Sequence, residues 1–325
     1  MVKIERISVG AQRCGEGPHW LEDTQSLVYV DIVGQNILRW DERLQKETKI
    51  QIESDTPSRS PIAGFTTLVV PIQGQADTYV IARGNSLATL QWDGCSQART
   101  VREFVRVEQD LSFPTRFNDG KCDPQGNLWA GTMGSETAPG VLAPGVGSIY
   151  SFSSRDGSAT KRYGDITLSN GMAWSADGSR FFFIDTTAMS VDVFDYDMNN
   201  TAISNRRPVF DLAATRTPGL PDGMTIDTQG RLWVALFFGG TVICLDPSTG
   251  QIVDRVHMPA TNITSCAFGG PSFDTLYVTS ATEGLTPWQM KAQPDAGATF
   301  KVTGLGARGL PGVSWRVDHE ALRTL

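Results

Sequence analysis

Four short segments of the 325-residue chain set an oxygen-bearing side chain beside a glycine: Gly15-Glu16-Gly17, Asn118-Asp119-Gly120, Ser169-Asn170-Gly171 and Pro221-Asp222-Gly223. Carboxylates and amides are the ligands that hard cations such as Ca2+ and Mg2+ prefer, and an open oxygen site also suits Mn2+ or Zn2+. If the segments meet in space, Glu16, Asn170 and Asp222 direct their oxygens at one divalent cation. Asn118 then sits beside it as a fourth ligand or as the partner of a bound water. A cation so held polarises a carbonyl and stabilises the oxyanion that forms when water attacks it. Asn-Gly and Asp-Gly are equally the dipeptides of hairpin turns, chosen for positive φ, so the chemistry depends on a fold that brings the segments together. The histidines, His19, His257 and His319, have no spacing that suggests a zinc centre or a Ser-His-Asp triad.

A repeat supplies such a fold. From residue 171 to 197 the chain reads as an apolar strand (172–174), a turn at Asp177-Gly178, a strand (180–185) and another strand (191–196). The same order recurs at 18–40, 117–152 and 221–246, and more weakly at 65–92 and 265–302. The first-strand anchors Trp20, Leu68, Cys122, Trp174, Ile226 and Phe268 lie 42 to 54 residues apart, the length of four short strands with their turns. The sequence therefore predicts one all-β domain over residues 1–325: a six-bladed β-propeller with four-stranded blades, its last blade completed by the N-terminal strand at 4–9. In a propeller the segments that lead into successive first strands converge on the axis. Each of the four oxygen-bearing segments lies at that point. Trp20, Trp129, Trp174 and Trp233 recur inside the repeats and are expected in the core between blades.

Composition narrows the partners. The net charge of −7, from 35 acidic and 28 basic residues with no basic block, argues against nucleic acid. Residues 1–10 lack the apolar core of a signal peptide, and no apolar run reaches a membrane span, so a cytoplasmic protein with no membrane partner is expected. Cys14, Cys95, Cys122, Cys244 and Cys266 are odd in number and scattered, as expected of free thiols rather than disulfides or a structural zinc. A monomer or weak dimer is expected.

The segments Gly15-Glu16-Gly17-Pro18-His19-Trp20, Arg116-Phe117-Asn118-Asp119-Gly120-Lys121, Gly131-Thr132-Met133, Ser169-Asn170-Gly171-Met172-Ala173-Trp174, Pro221-Asp222-Gly223 and Ala267-Phe268-Gly269-Gly270 together resemble the regucalcin/gluconolactonase family, which includes the firefly luciferin-regenerating enzyme. The closing Lys301-Val302-Thr303-Gly304-Leu305 is most similar to its insect branch. The resemblance implies a metal-dependent lactonase acting on a small sugar lactone, with one divalent cation, Ca2+ first, on Glu16, Asn170 and Asp222. It implies Asp222 as general base and Arg116, Asn118 and Glu136 as substrate contacts. Two segments are particular to this chain, the loop at 137–147 and the connection at 55–64, the latter at a place where the family can carry a lid over the site. The other functions the family resemblance and the architecture leave open are a calcium-binding regulator, a hydrolase of phosphoesters or of a luciferin-related substrate, and a docking platform.

Overall fold

The structure, a computed structural model, describes residues 1–52, 65–95, 101–138, 141–318 and 321; the expected lid and His319 lie outside the described residues. Six four-stranded antiparallel sheets form the fold, each a blade running outward from its first strand. The innermost strands are Gly15–Leu21, Thr66–Pro71, Thr115–Cys122, Ser169–Trp174, Leu220–Ile226 and Ile263–Gly269. Each packs on the next, and the sixth packs on the first, so they ring one axis. The sequence gradient explains the layering. Second strands such as Ser26–Asp31 (SLVYVD) are apolar on both faces and wholly buried, whereas the outermost Lys46–Gln51 (KETKIQ) is polar and mostly solvated.

The ring closes as the sequence predicts, with a shorter strand. Lys3–Arg6 pairs with Phe300–Thr303 as the outer strand of the sixth blade, Ile4 opposite Val302. Among the described residues one further, two-stranded sheet pairs Glu136–Ala138 with Val141–Leu142, between the second and third strands of the third blade. Aromatic contacts join blades as expected: Trp20 stacks on Tyr277 at 5.1 Å, Trp129 meets Trp174 at 5.9 Å and Trp233 meets Phe268 at 5.7 Å.

Two of these tryptophans are fixed by a recurring turn. In Asp123-Pro124-Gln125-Gly126-Asn127-Leu128-Trp129, the buried Asp123 accepts from the amides of Gln125 and Asn127 and, at 3.0 Å, from Trp129 Nε1. Asp227 repeats this with the amides of Gln229 and Arg231 and with Trp233 Nε1 at 3.0 Å, adding Arg231 Nε at 2.7 Å. Asp227→Asn keeps the shape but loses the charge that these donors share. It is expected to destabilise the protein by about 1–2 kcal/mol, read as a lower denaturant midpoint at unchanged slope.

The chain after the last blade crosses the lower face, opposite the points where the first strands begin. It bonds the fifth and sixth blades through Thr228 N to Arg308 O and Gly309 N to Phe273 O, both 2.8 Å. It then reaches the second and third blades through Trp315 N to Pro71 O and Arg316 N to Gly126 O, both 2.9 Å. Glycines stand where this strap runs closest: a Cβ at Gly309 would lie 2.0 Å from Phe268 Cβ.

Candidate metal and active centre

Every innermost strand slips register with its neighbour at the same level. The shifts fall between Glu16 and His19, Thr66 and Val69, Phe117 and Gly120, Ser169 and Met172, Pro221 and Met224, and Ile263 and Ser265. A β-bulge re-aims the side chain it carries. Asn118, Asn170 and Asp222 lie inside the bulges and Glu16 at the edge of one, so the irregularity that interrupts each ladder is what gathers these side chains. The glycines beside them serve packing, not turns. Gly17 has φ +55°, but Gly120, Gly171 and Gly223 are not among the residues with positive φ. A Cβ on Gly171 would lie 2.8 Å from Asp222 O and Met224 N, and one on Gly223 would lie 2.1 Å from Ser265 Oγ. The hairpin-turn reading of these dipeptides is thereby corrected.

A hydrogen-bond chain then sets the amides. Thr186 donates its hydroxyl to Pro221 O at 2.8 Å, so its oxygen accepts from Asn170 Nδ2 at 2.7 Å. Asn170 Oδ1 is thereby turned away from Thr186, accepting from Asn118 Nδ2 at 3.1 Å and keeping a second lone pair. Asn118 is fixed by donors and acceptors that have no choice of role. Arg116 Nη1 can only donate to its Oδ1, at 2.7 Å, and Ser169 O can only accept from its Nδ2, at 2.8 Å. Asn118 therefore bridges Arg116 to Asn170. Arg116 also donates to Phe117 O at 2.9 Å and lies over the Phe65 ring, 5.8 Å from its centroid. Glu136, exposed on its hairpin, acts electrostatically on Arg116 from the rim.

Three carboxylates share the centre. Burial and then the charge of Asp119 push Glu16 up to about 8, against one backbone hydrogen bond from Gly17 N at 2.9 Å. Asp222 is raised well above the usual carboxylate range by burial, Glu16 and Asp119, and no donor among the described residues bonds to it. Asp119 is raised by burial, with Lys121 opposing. Burial draws Arg116 down to about 10, and the charges of Cys14, Glu16 and Glu136 oppose the fall. Like charges crowded in low dielectric, short of donors, are what a bound cation relieves. Among the described residues no three His, Cys, Asp or Glu side chains converge closely enough to hold a metal unaided. The neutral oxygen of Asn170 is therefore the natural third protein ligand, and the donor set fits a hard divalent cation.

All six expected residues belong to one neighbourhood, Glu136 at its edge. Sequence reasoning gave no role to Asp119, whose carboxylate raises both Glu16 and Asp222, nor to Thr186, which orients Asn170 from a single 3-10 turn. Asp31 was missed as well. It accepts from the amides of Arg13, Cys14 and Gly34 and so ties down the approach to Glu16; Asp185 does the same with Thr167 and Leu168 before Asn170. The signal for this pair is in the sequence: an Asp ends the second strand in each of these two blades.

Fold and site together define a six-bladed propeller with an oxygen-lined axial centre. A family model described as SMP-30/Gluconolactonase/LRE-like region matches residues 14–282, and the chain belongs to that family. It is 40% identical to regucalcin of Gallus gallus over 310 residues, 95% of this chain and 97% of that protein. Among solved structures it is similar to a luciferin-regenerating enzyme, with TM-score 0.88 and 34% identity over 98% of this chain and 100% of that one. It is also similar to regucalcin of Agrobacterium tumefaciens, a calcium-binding protein, with TM-score 0.82 and 25% identity over 96% and 97% of the two chains. No helix among the described residues is long and apolar enough to cross a membrane.

Proposed function

We propose that the chain is a divalent-metal-dependent hydrolase of a small sugar lactone. The observation that carries this reading is the cluster of Glu16, Asp119 and Asp222 on the axis, short of donors, beside an amide whose oxygen is held in place and an arginine fork. Glu16, Asn170 and Asp222 would hold the cation, Ca2+ in first place and Zn2+, Mg2+ or Mn2+ as alternatives. When bound, the cation supplies Lewis-acid polarisation of the lactone carbonyl and charge for the developing oxyanion. Arg116, anchored by Asn118 and by Phe117 O, presents a planar fork to the hydroxyls of the substrate or the carboxylate of the opened ring. Glu136 accepts from hydroxyl donors at the rim. Asp222, to which no donor among the described residues bonds, takes the proton of the attacking water at a carboxylate oxygen. The similarity to proteins named regucalcin supports a second reading, a calcium-binding protein built on the same centre.

The test is lactone hydrolysis, followed by pH indicator, on metal-stripped protein titrated with each of the four cations, with gluconolactone and other aldonolactones as substrates. Turnover is expected to be absent without metal and to saturate with one equivalent. Cation binding with no turnover of any lactone would sink the hydrolase and leave the calcium-binding reading.

A further inference from the structure

A pocket, the lower chamber, lies on the strap side of the carboxylates. Its walls are the lower ends of five innermost strands, and residues 310–313 of the strap form its floor. Its volume is about 220 Å³, below the roughly 300–1,000 Å³ of sites for drug-sized ligands, so any occupant is small. The surface is largely apolar, from Ala173, Ile226, Phe268 and Leu310 and from the rings of Trp20 and Trp174.

Its polar groups include strong donors beside the hydroxyls of Ser175 and Thr225 and the acceptor nitrogen of His19. The ammonium of Lys121 carries three and uses one, to Met224 O at 2.7 Å. Among the described residues no carboxylate lies within the 4.0 Å of an ion pair. The indole N–H groups of Trp20 and Trp174, 3% and 5% exposed, have no acceptor among the described residues. Burial, then Lys121, pushes His19 down to about 4, so it stays neutral and adds no competing charge. No Asp or Glu lines the chamber. Buried donors without acceptors are rare in native proteins and mark either strain or an absent partner. A buried cation with two unused donors, its acidic neighbour Asp119 beyond ion-pair distance, in a largely apolar pocket suits an anion with an apolar body.

We propose that the lower chamber is a second ligand site that takes a small apolar monocarboxylate. The carboxylate pairs with Lys121, and the body fills the space between Trp20, Trp174 and Phe268. The strap packs tightly on the first blade here: a Cβ at Gly312 would lie 2.8 Å from His19 Nε2. This site is separate from the upper centre and stands whether or not that centre hydrolyses lactones.

Benzoate, phenylacetate and hexanoate, with benzyl alcohol and hexanol as uncharged counterparts, are titrated into full-length protein, both cation-loaded and metal-stripped, by isothermal titration and ligand-observed NMR. Binding present in both forms reports the lower chamber. At least one carboxylate is expected to bind with a dissociation constant on the order of 0.1–1 mM, and its alcohol about tenfold more weakly. Lys121→Met is expected to weaken the acid about tenfold and leave the alcohol unchanged. Because loss of a buried lysine can disturb folding, Ala267→Leu is the second variant. Ala267 lines the chamber and is 9% exposed. The leucine fills the space and is expected to abolish binding of acid and alcohol alike, with a native circular dichroism spectrum. Metal-independent binding that survives Ala267→Leu, or no carboxylate binding below about 10 mM, overturns the proposal.

Discussion

Asp222→Asn is expected to lower lactone turnover by about 10³-fold or more and to weaken cation binding with it, yet to make the metal-free protein more stable. The two effects come from one geometry. With cation present, Asp222 is a ligand and a proton acceptor, and the amide replaces neither charge nor basicity. Without cation, Asp222 is a buried carboxylate raised by Glu16 and Asp119 and short of donors, a liability to the fold that the amide removes. The same strain gives the metal-free protein an unusual pH profile. Glu16 sits at about 8 in the folded chain against an ordinary 4.5, so between those values the folded state holds a proton that the unfolded state has lost. Stability then falls as pH rises from about 4.5 to about 8, the reverse of what paired carboxylates give. Saturating cation should flatten that slope, since it stabilises the ionised forms. Thermal melts of wild type and Asp222→Asn, stripped and loaded, at pH 5 and pH 8 read the stability effects together, and the lactone assay reads turnover. A metal-free variant less stable than metal-free wild type at pH 8 would show that the three carboxylates are not in conflict.

The architecture was legible because the strand–turn–strand order recurs around the chain, and in two blades a turn and a tryptophan recur together. Gln125-Gly126 and Gln229-Gly230 mark the tight turns around Asp123 and Asp227, and Trp129 and Trp233 follow at fixed spacing because their indoles bond those aspartates. The closing strand was visible for a different reason: the last blade needed a further strand to cover its edge, and Lys3–Arg6 supplies it with Ile4 opposite Val302. What stayed hidden was set by neighbours distant in sequence. Bulges have no composition of their own, so nothing near Asn170 says that its ladder slips. Thr186 orients Asn170 across 16 residues, and Asp119 acts on Glu16 across the axis. The lower chamber depends on residues 310–313 meeting the first blade around the ring, a contact with no local pattern.

The recurring glycine is the sharpest case, because its type was plain and its reason was not. Gly171→Val is expected to destabilise the protein by about 3 kcal/mol and to weaken cation binding about 10- to 100-fold, though residue 171 bears no ligand atom. A Cβ at this position meets Asp222 O, Met224 Cγ and Met224 N, all at 2.8 Å. Two of those atoms are backbone, so the neighbouring strand moves as a whole. Asp222 moves with it, since its own carbonyl is one of the atoms displaced. Gly10→Ala is the control: its Cβ would meet nothing within 4 Å and its φ is not positive, so it should change neither quantity. If the glycine served a turn, valine would lower stability and leave the affinity of the remaining folded protein intact. A joint loss of stability and affinity means that closeness between blades four and five sets the spacing of the ligands across the axis.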